Sequence, residues 1–157
     1  MRRVFLLLLI ATLAGCGFHL RGQVALPYST LHVGGQSGTS LTNLLKRVLR
    51  SSDVRLVDKQ EDAEITLIIL SDVKEKSILA LSAAGRAQEY ELRERVTFRI
   101  ITAAEPDLPA GEIVSLRTIS FNDAQILAKE SEENLLYRDM ENDVIQQLLR
   151  RLQAAKK

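Results

Sequence analysis

The sequence predicts an α+β domain: a two-layer sandwich of two main helices packed on a mostly antiparallel sheet of four to five strands. Three observations predict it. Leu41, Leu44, Leu45, Val48 and Leu49 recur at helical spacing, as do Leu136, Met140, Val144, Ile145, Leu148 and Leu152, so two helices each carry an apolar stripe. Between them, Leu92, Val96, Phe98 and Ile100 alternate with Arg93, Arg95, Thr97 and Arg99, the period of a strand with one buried face. Three long strand-like segments follow one another with only turns between them, which favours an antiparallel meander. Two amphipathic helices can cover one face of such a sheet.

The elements follow in order. Residues 17–28 read as an extended lead-in ending at a turn with Pro27. Residues 30–33 form a short strand stopped by Gly34-Gly35. Thr39 or Ser40 caps the first helix, because a hydroxyl there accepts from an unpaired amide of the first turn. Lys46, Arg47 and Arg50 lie late in that helix, where cations complement its dipole. Ser51-Ser52-Asp53 breaks it, residues 54–57 form a short strand, and residues 58–62 a charged turn. Residues 63–73 form a longer strand. Its centre, Ile65-Thr66-Leu67-Ile68-Ile69-Leu70, predicts cover on both faces. Ile78, Leu79 and Leu81 continue it into a hairpin turning at Ser82-Ala83-Ala84-Gly85, with residues 86–103 as the return strand. Glu94 interrupts the apolar side of that strand, as expected near a sheet edge. Pro106, Pro109 and Gly111 mark the next turn. Residues 112–121 form a strand whose alternation is too weak to assign a buried face. Asn122 or Asp123 caps a turn or helix, and residues 131–155 are helical, with Glu141, Asn142, Gln146, Arg150 and Arg151 on the polar face.

The first sixteen residues read differently. Two arginines precede an unbroken apolar run, Val4 to Leu9, and small residues Ala14 and Gly15 precede Cys16. That is a secretory leader ending in a bacterial lipoprotein cleavage pattern. The run is too short to span a membrane, which takes about 20 apolar residues. Residues 1–15 are therefore expected to be a removable signal peptide, and residues 16–157 a single domain lipid-anchored at Cys16. The expected modification is covalent: S-diacylglycerol on the thiol and an acyl chain on the freed amine. One acyl chain holds only marginally, while two or three anchor stably.

Composition narrows the function. The 157 residues suit one domain, and 46% hydrophobic content argues against disorder. Cys16 is the one cysteine, so a lipidated chain has no thiol left for an intramolecular disulfide. A net charge of +1, no tryptophan and 4% aromatic residues make nucleic acid an unpromising partner. His19 and His32 are the only histidines, and they do not form a helical ligand pair, so no metal site is expected. The sequence has neither a phosphate-binding glycine loop nor a nucleophile elbow, and Glu61-Asp62 and Glu132-Glu133 read as solvated acids. No enzyme and no bound cofactor are expected. The cations are more suggestive. Arg86 lies near the hairpin tip, Lys129 before the last helix, and Arg93, Arg95 and Arg99 on one strand face. Such groups bind phosphates through charge-assisted hydrogen bonds.

The run Cys16-Gly17-Phe18-His19-Leu20-Arg21-Gly22 resembles the start of the mature chain in the LptE family, the lipopolysaccharide-assembly lipoproteins of the Gram-negative outer membrane. Gly85-Arg86-Ala87-Gln88-Glu89-Tyr90-Glu91-Leu92 and Ile126-Leu127-Ala128-Lys129-Glu130 fit the same family. So does the closing helix, with Asp143 and Leu148-Leu149-Arg150-Arg151-Leu152. The resemblance implies a two-layer fold of helices on a sheet. It also implies a non-enzymatic protein that plugs the LptD β-barrel, helps assemble it, binds lipopolysaccharide and assists its insertion into the outer leaflet. By the same resemblance, Gly17 is compatible with sorting to the outer membrane, on its periplasmic side and within the barrel lumen. The Arg93, Arg95 and Arg99 face suits contact with a polar barrel wall. The family's lipopolysaccharide site pairs a basic loop residue with a lysine before the last helix. Lys129 matches the second. Ala83 occupies the loop position, so Arg86 is the nearest substitute. The alternative is an envelope-tethered lipoprotein scaffold for another periplasmic partner.

Overall fold

A computed structural model describes residues 26–106, 108–121 and 126–155. The expected leader, Cys16, Gly17 and the expected cap at Asn122 or Asp123 lie outside those residues. The elements run β1 (Thr30–Gly35), α1 (Ser40–Arg50), β2 (Arg55–Val57), a 3-10 turn (Gln60–Asp62), β3 (Ile65–Leu81), β4 (Ala87–Thr102), β5 (Gly111–Ser120) and α2 (Ile126–Ala154). The strands form one mixed sheet in the order β2-β1-β3-β4-β5. β1 pairs in parallel with β2 and β3, whereas the long ladders β3–β4 and β4–β5 are antiparallel. Both helices supply the apolar side chains of the core on one face of the sheet. This is the α+β sandwich the periodicities predict, with five strands.

The core explains the layering. Leu41, Leu45 and Leu49 of α1 and Val144, Ile145, Leu148 and Leu152 of α2 are buried with Leu31, Leu67, Ile69, Val96 and Phe98 of the sheet. A second, smaller cluster lies toward the hairpin end: Leu92, Ile119 and Met140, packed against Tyr90, Leu136 and Tyr137. Each buried Leu or Ile contributes about 1.5–3 kcal/mol by leaving water.

Local chemistry sets the boundaries. Thr39 caps α1, its hydroxyl accepting from the Thr42 amide at 3.1 Å. β1 runs through Gly34-Gly35 instead of stopping there. Gly35 has φ +90°, and a Cβ at that position would lie 2.0 Å from the Ile69 carbonyl oxygen. That carbonyl accepts from the Gln36 amide at 2.9 Å, so only glycine allows the approach. The β3–β4 hairpin turns at Ser82-Ala83-Ala84-Gly85: the Ser82 amide donates to the Arg86 carbonyl at 2.7 Å, and Gly85 takes φ +74°.

Four expectations need correction. The β3 centre is not covered on both faces: Ile68 is half-buried and Leu70 is 43% exposed, because the apolar cover from the helices lies on the other side. Glu94 is not near an edge, since at that position β4 is flanked by both β3, at Lys74, and β5, at Ser115. Glu141 leaves the polar face of the last helix and is 5% exposed, turned toward the sheet. That helix also begins at Ile126, ahead of residue 131. The pattern over residues 126–130 hides this start, because Ile126 and Leu127 remain exposed. β5, whose weak alternation assigns no face, buries Ile113, Ser115 and Ile119 and exposes Val114 and Leu116.

Candidate functional site

The expected site residues divide between two surfaces. Lys129 stands in the first turn of α2, where its ammonium donates to the Ser120 hydroxyl at 3.1 Å and to the Glu132 carboxylate at 2.8 Å. Its side chain is 14% exposed, against 47% for Glu132. An anionic ligand reaching Lys129 therefore displaces a solvated carboxylate rather than a buried partner. Ser120 pairs with Glu89 in the β4–β5 ladder, and the Phe121 amide donates to the Gln88 carbonyl at 2.7 Å. Arg86 lies three residues before Glu89, at the end of the turn that leads into β4, about 10 Å away at the usual strand rise. Sheet register thus brings Arg86 and Lys129 to one end of the molecule. Ala83, at the tip of the turn, is exposed and carries no charge.

That end is amphipathic. Ile78, Leu79 and Leu81 of the hairpin and Ile126, Leu127 and Leu135 of α2 are exposed, Leu127 by 79%. Tyr90 meets Phe121 edge-to-face with centroids 5.4 Å apart, and the Lys76 ammonium lies 4.5 Å from the Tyr90 ring centroid. Lys76 also pairs with Glu133 of α2 at 2.5 Å. The periodicity shows none of these apolar residues as a surface, because alternation alone cannot say where the helix layer stops. Exposed apolar side chains beside cations suit a ligand with an anionic head and hydrocarbon chains.

Arg93, Arg95 and Arg99 point to the other face of the sheet, the one without helices. Arg93 pairs with Glu91 at 2.7 Å, and Arg95 stands 4.0 Å from Glu112. Val73 and Val114 flank Arg95 in register, and Glu75 and Leu116 flank Arg93. This face mixes charge with isolated apolar side chains. It fits a wet or polar partner surface better than an apolar one. The two surfaces do not merge into one cationic patch.

Elsewhere the chemistry is structural. The His32 Nδ1 lies 3.1 Å from the Val57 carbonyl oxygen across the β1–β2 ladder. Among the described residues no group of His, Cys, Asp and Glu side chains could hold a metal ion. Sequence reasoning missed one assembly. Asp72 and Lys74 of β3, Glu94 of β4, Ser40 of α1 and Glu141 of α2 meet between the sheet and the helices, with Glu94 and Glu141 buried, Asp72 half-buried, and Lys74 and Ser40 at the exposed rim. The Lys74 ammonium lies 2.5 Å from Glu141 and 4.0 Å from Glu94, and the Ser40 hydroxyl donates to Glu141. Burial pushes the Glu94 carboxyl up to about 7, with the Asp72 and Glu141 charges adding to the rise and Lys74 opposing it. Burial also raises Asp72, and Glu141 adds to that. Lys74 is lowered by burial but raised by more through Glu141, Glu94 and Asp72, so it stays a firm cation. The signal available in the sequence was Glu94 itself, the one charge on an apolar strand face.

Comparison with known proteins agrees with this architecture. A family model described as LptE, lipopolysaccharide-assembly, matches residues 23–152. A protein from Pectobacterium atrosepticum named LPS-assembly lipoprotein LptE is 31% identical, over 96% of this chain and 85% of that one. Its namesake from Yersinia enterocolitica is 29% identical over 96% and 75%. The solution structure of lipoprotein B from Nitrosomonas europaea has a TM-score of 0.75 and 40% identity, covering 88% of this chain and 91% of that one. The crystal structure of rare lipoprotein B from Shewanella oneidensis has a TM-score of 0.68 and 28% identity, covering 78% and 92%. The chain belongs to the LptE family of non-enzymatic lipopolysaccharide-assembly lipoproteins.

Proposed function

We propose that this protein is an outer-membrane lipoprotein that occupies the lumen of an LptD-type β-barrel, supports its assembly and binds lipopolysaccharide on its way to the outer leaflet. The observation that carries the reading is the amphipathic end. It places Lys129 and Arg86 with exposed Ile78, Leu79, Leu81 and Leu127, in a chain of the LptE family. In this reading Lys129 and Arg86 bind lipid A phosphates and compete with the divalent ions that bridge them, while the exposed apolar side chains take acyl chains. Loss of those bridges disperses aggregated glycolipid. The face of Arg93, Arg95 and Arg99 contacts the barrel wall, whose lumen is polar. Diacylglycerol and an acyl chain on Cys16 hold the domain at the periplasmic side of the outer membrane, with Gly17 permitting export there.

Two measurements test this. After detergent extraction, the protein is expected to co-purify with a large β-barrel protein. A monomeric, unassociated protein contradicts the plug reading. Recovery with a periplasmic protein and no barrel favours a tethered scaffold. Lys129→Glu is expected to weaken lipopolysaccharide binding by roughly tenfold or more, the value of a charge-assisted contact. Unchanged binding with a normal circular dichroism spectrum removes Lys129 from the site.

A further inference from the structure

A polar layer divides the interior. Glu94 lies on β4 between Leu92, in the smaller apolar cluster, and Val96, in the main core. Glu141 lies on α2 between Met140 and Val144, which divide the same way. Glu94 is 0% exposed, and neither of its carboxylate oxygens has a hydrogen-bond partner among the described residues. The same holds for Asp72 Oδ1. The groups facing Glu94 come from each element packed around it. β3 supplies Asp72 and Lys74, and β5 supplies the uncharged Ser115 in register. α1 supplies the Ser40 hydroxyl, and α2 supplies Glu141 and Tyr137, the latter held neutral by burial and by Glu133. Three carboxyls thus surround one ammonium, and that ammonium makes its close contact with Glu141. Asp72 and Glu94 lie diagonally across the β3–β4 ladder, and with three of their four oxygens buried without a donor, ionising both is costly. They can bond to each other only if one keeps its proton.

We propose that Asp72 and Glu94 share a proton, and that this protonated pair latches the middle of α2 and the upper hairpin onto the base of the domain. While the proton is held, Glu94 donates to Asp72, and Lys74 is left to neutralise Glu141 and so tie α2 to β3. When the proton passes to solvent, the layer carries a second uncompensated negative charge. Glu141 and Glu94 then repel across the α2–β4 contact, and water enters between the two apolar clusters. The end that carries Arg86 and Lys129 lies on the far side of this layer, so its order follows the latch. The inference concerns the domain itself and stands whichever ligand that end takes. The direction of the Glu94 and Asp72 shifts agrees with it.

The test follows the carboxyl carbons of the full chain in detergent by ¹³C NMR between pH 4 and pH 9. The expected result is a Glu94 transition near neutrality, with Asp72 reporting the same midpoint. Asp72→Asn is expected to lower the Glu94 midpoint by removing a neighbouring charge. Hydrogen exchange supplies an independent readout. Corrected for intrinsic rates, amide protection around Glu141 is expected to fall roughly tenfold or more from pH 6 to pH 8.5, and Glu94→Gln is expected to abolish the fall. Glu94 titrating in the ordinary carboxylate range overturns the proposal. So does a Glu94 midpoint indifferent to Asp72→Asn, or wild-type protection that ignores pH. If Glu94→Gln fails to fold, the wild-type titration decides alone.

Discussion

Burying Glu94 makes folding pH-dependent in a defined direction. Its folded value is raised from 4.5 to about 7, so the folded chain holds a proton that the unfolded chain has released. Stability is greatest below pH 4.5 on this account and falls as pH climbs through about 7. The loss is on the order of 3 kcal/mol, at about 1.4 kcal/mol per unit. Urea unfolding of wild type and Glu94→Gln at pH 5 and pH 8 checks this: the wild type is expected to lose stability and the variant to lose much less. Gly35 makes a second prediction. Gly35→Ala combines positive φ with a collision against the Ile69 carbonyl, and is expected to cost more than about 1 kcal/mol in the same assay. Neither effect is fully legible in the sequence. The alternation marks Glu94 as anomalous, but its three partners come from β3 and α2, which only the fold brings together. Gly34-Gly35 reads as a stop, while the reason for glycine is the backbone of a strand more than thirty residues on.

At the scale of elements, the cap and the division of α2 are the testable features. Thr39→Ala removes the acceptor of the Thr42 amide and is expected to cost about 1 kcal/mol. In α2, Leu148 is fully buried and Leu127 is 79% exposed. Leu148→Ala is expected to cost about 2–5 kcal/mol and Leu127→Ala less than about 0.5, measured by thermal or urea unfolding. A large loss for Leu127→Ala would place the start of α2 in the core and weaken its reading as ligand surface. The helical stripe of residues 136–152 was legible because burial there follows the 3.6-residue period. The start of α2 was not, because its apolar side chains face solvent and its cations bond locally. The hairpin was legible for the opposite reason: turn chemistry at Ser82 and Gly85 specifies it without help from the core.

For the whole molecule, layering puts the two helices on one face of the sheet and leaves Arg93, Arg95 and Arg99 on the other. The two-layer class followed from periodicity alone. The parallel pairing of β1 with β2 and β3 did not, because short apolar strands carry no mark of direction. The proposed function gives the molecule two partners: a lipid at the amphipathic end and a barrel wall against the helix-free face of the sheet. A photocrosslinking amino acid at position 95, in living cells, tests that division most directly. Adducts with a large outer-membrane β-barrel protein are expected, and the same probe at Asn142 on the exposed side of α2 supplies the comparison. Absence of any adduct at position 95, or adducts only with a periplasmic protein, would contradict the placement of this domain inside a barrel.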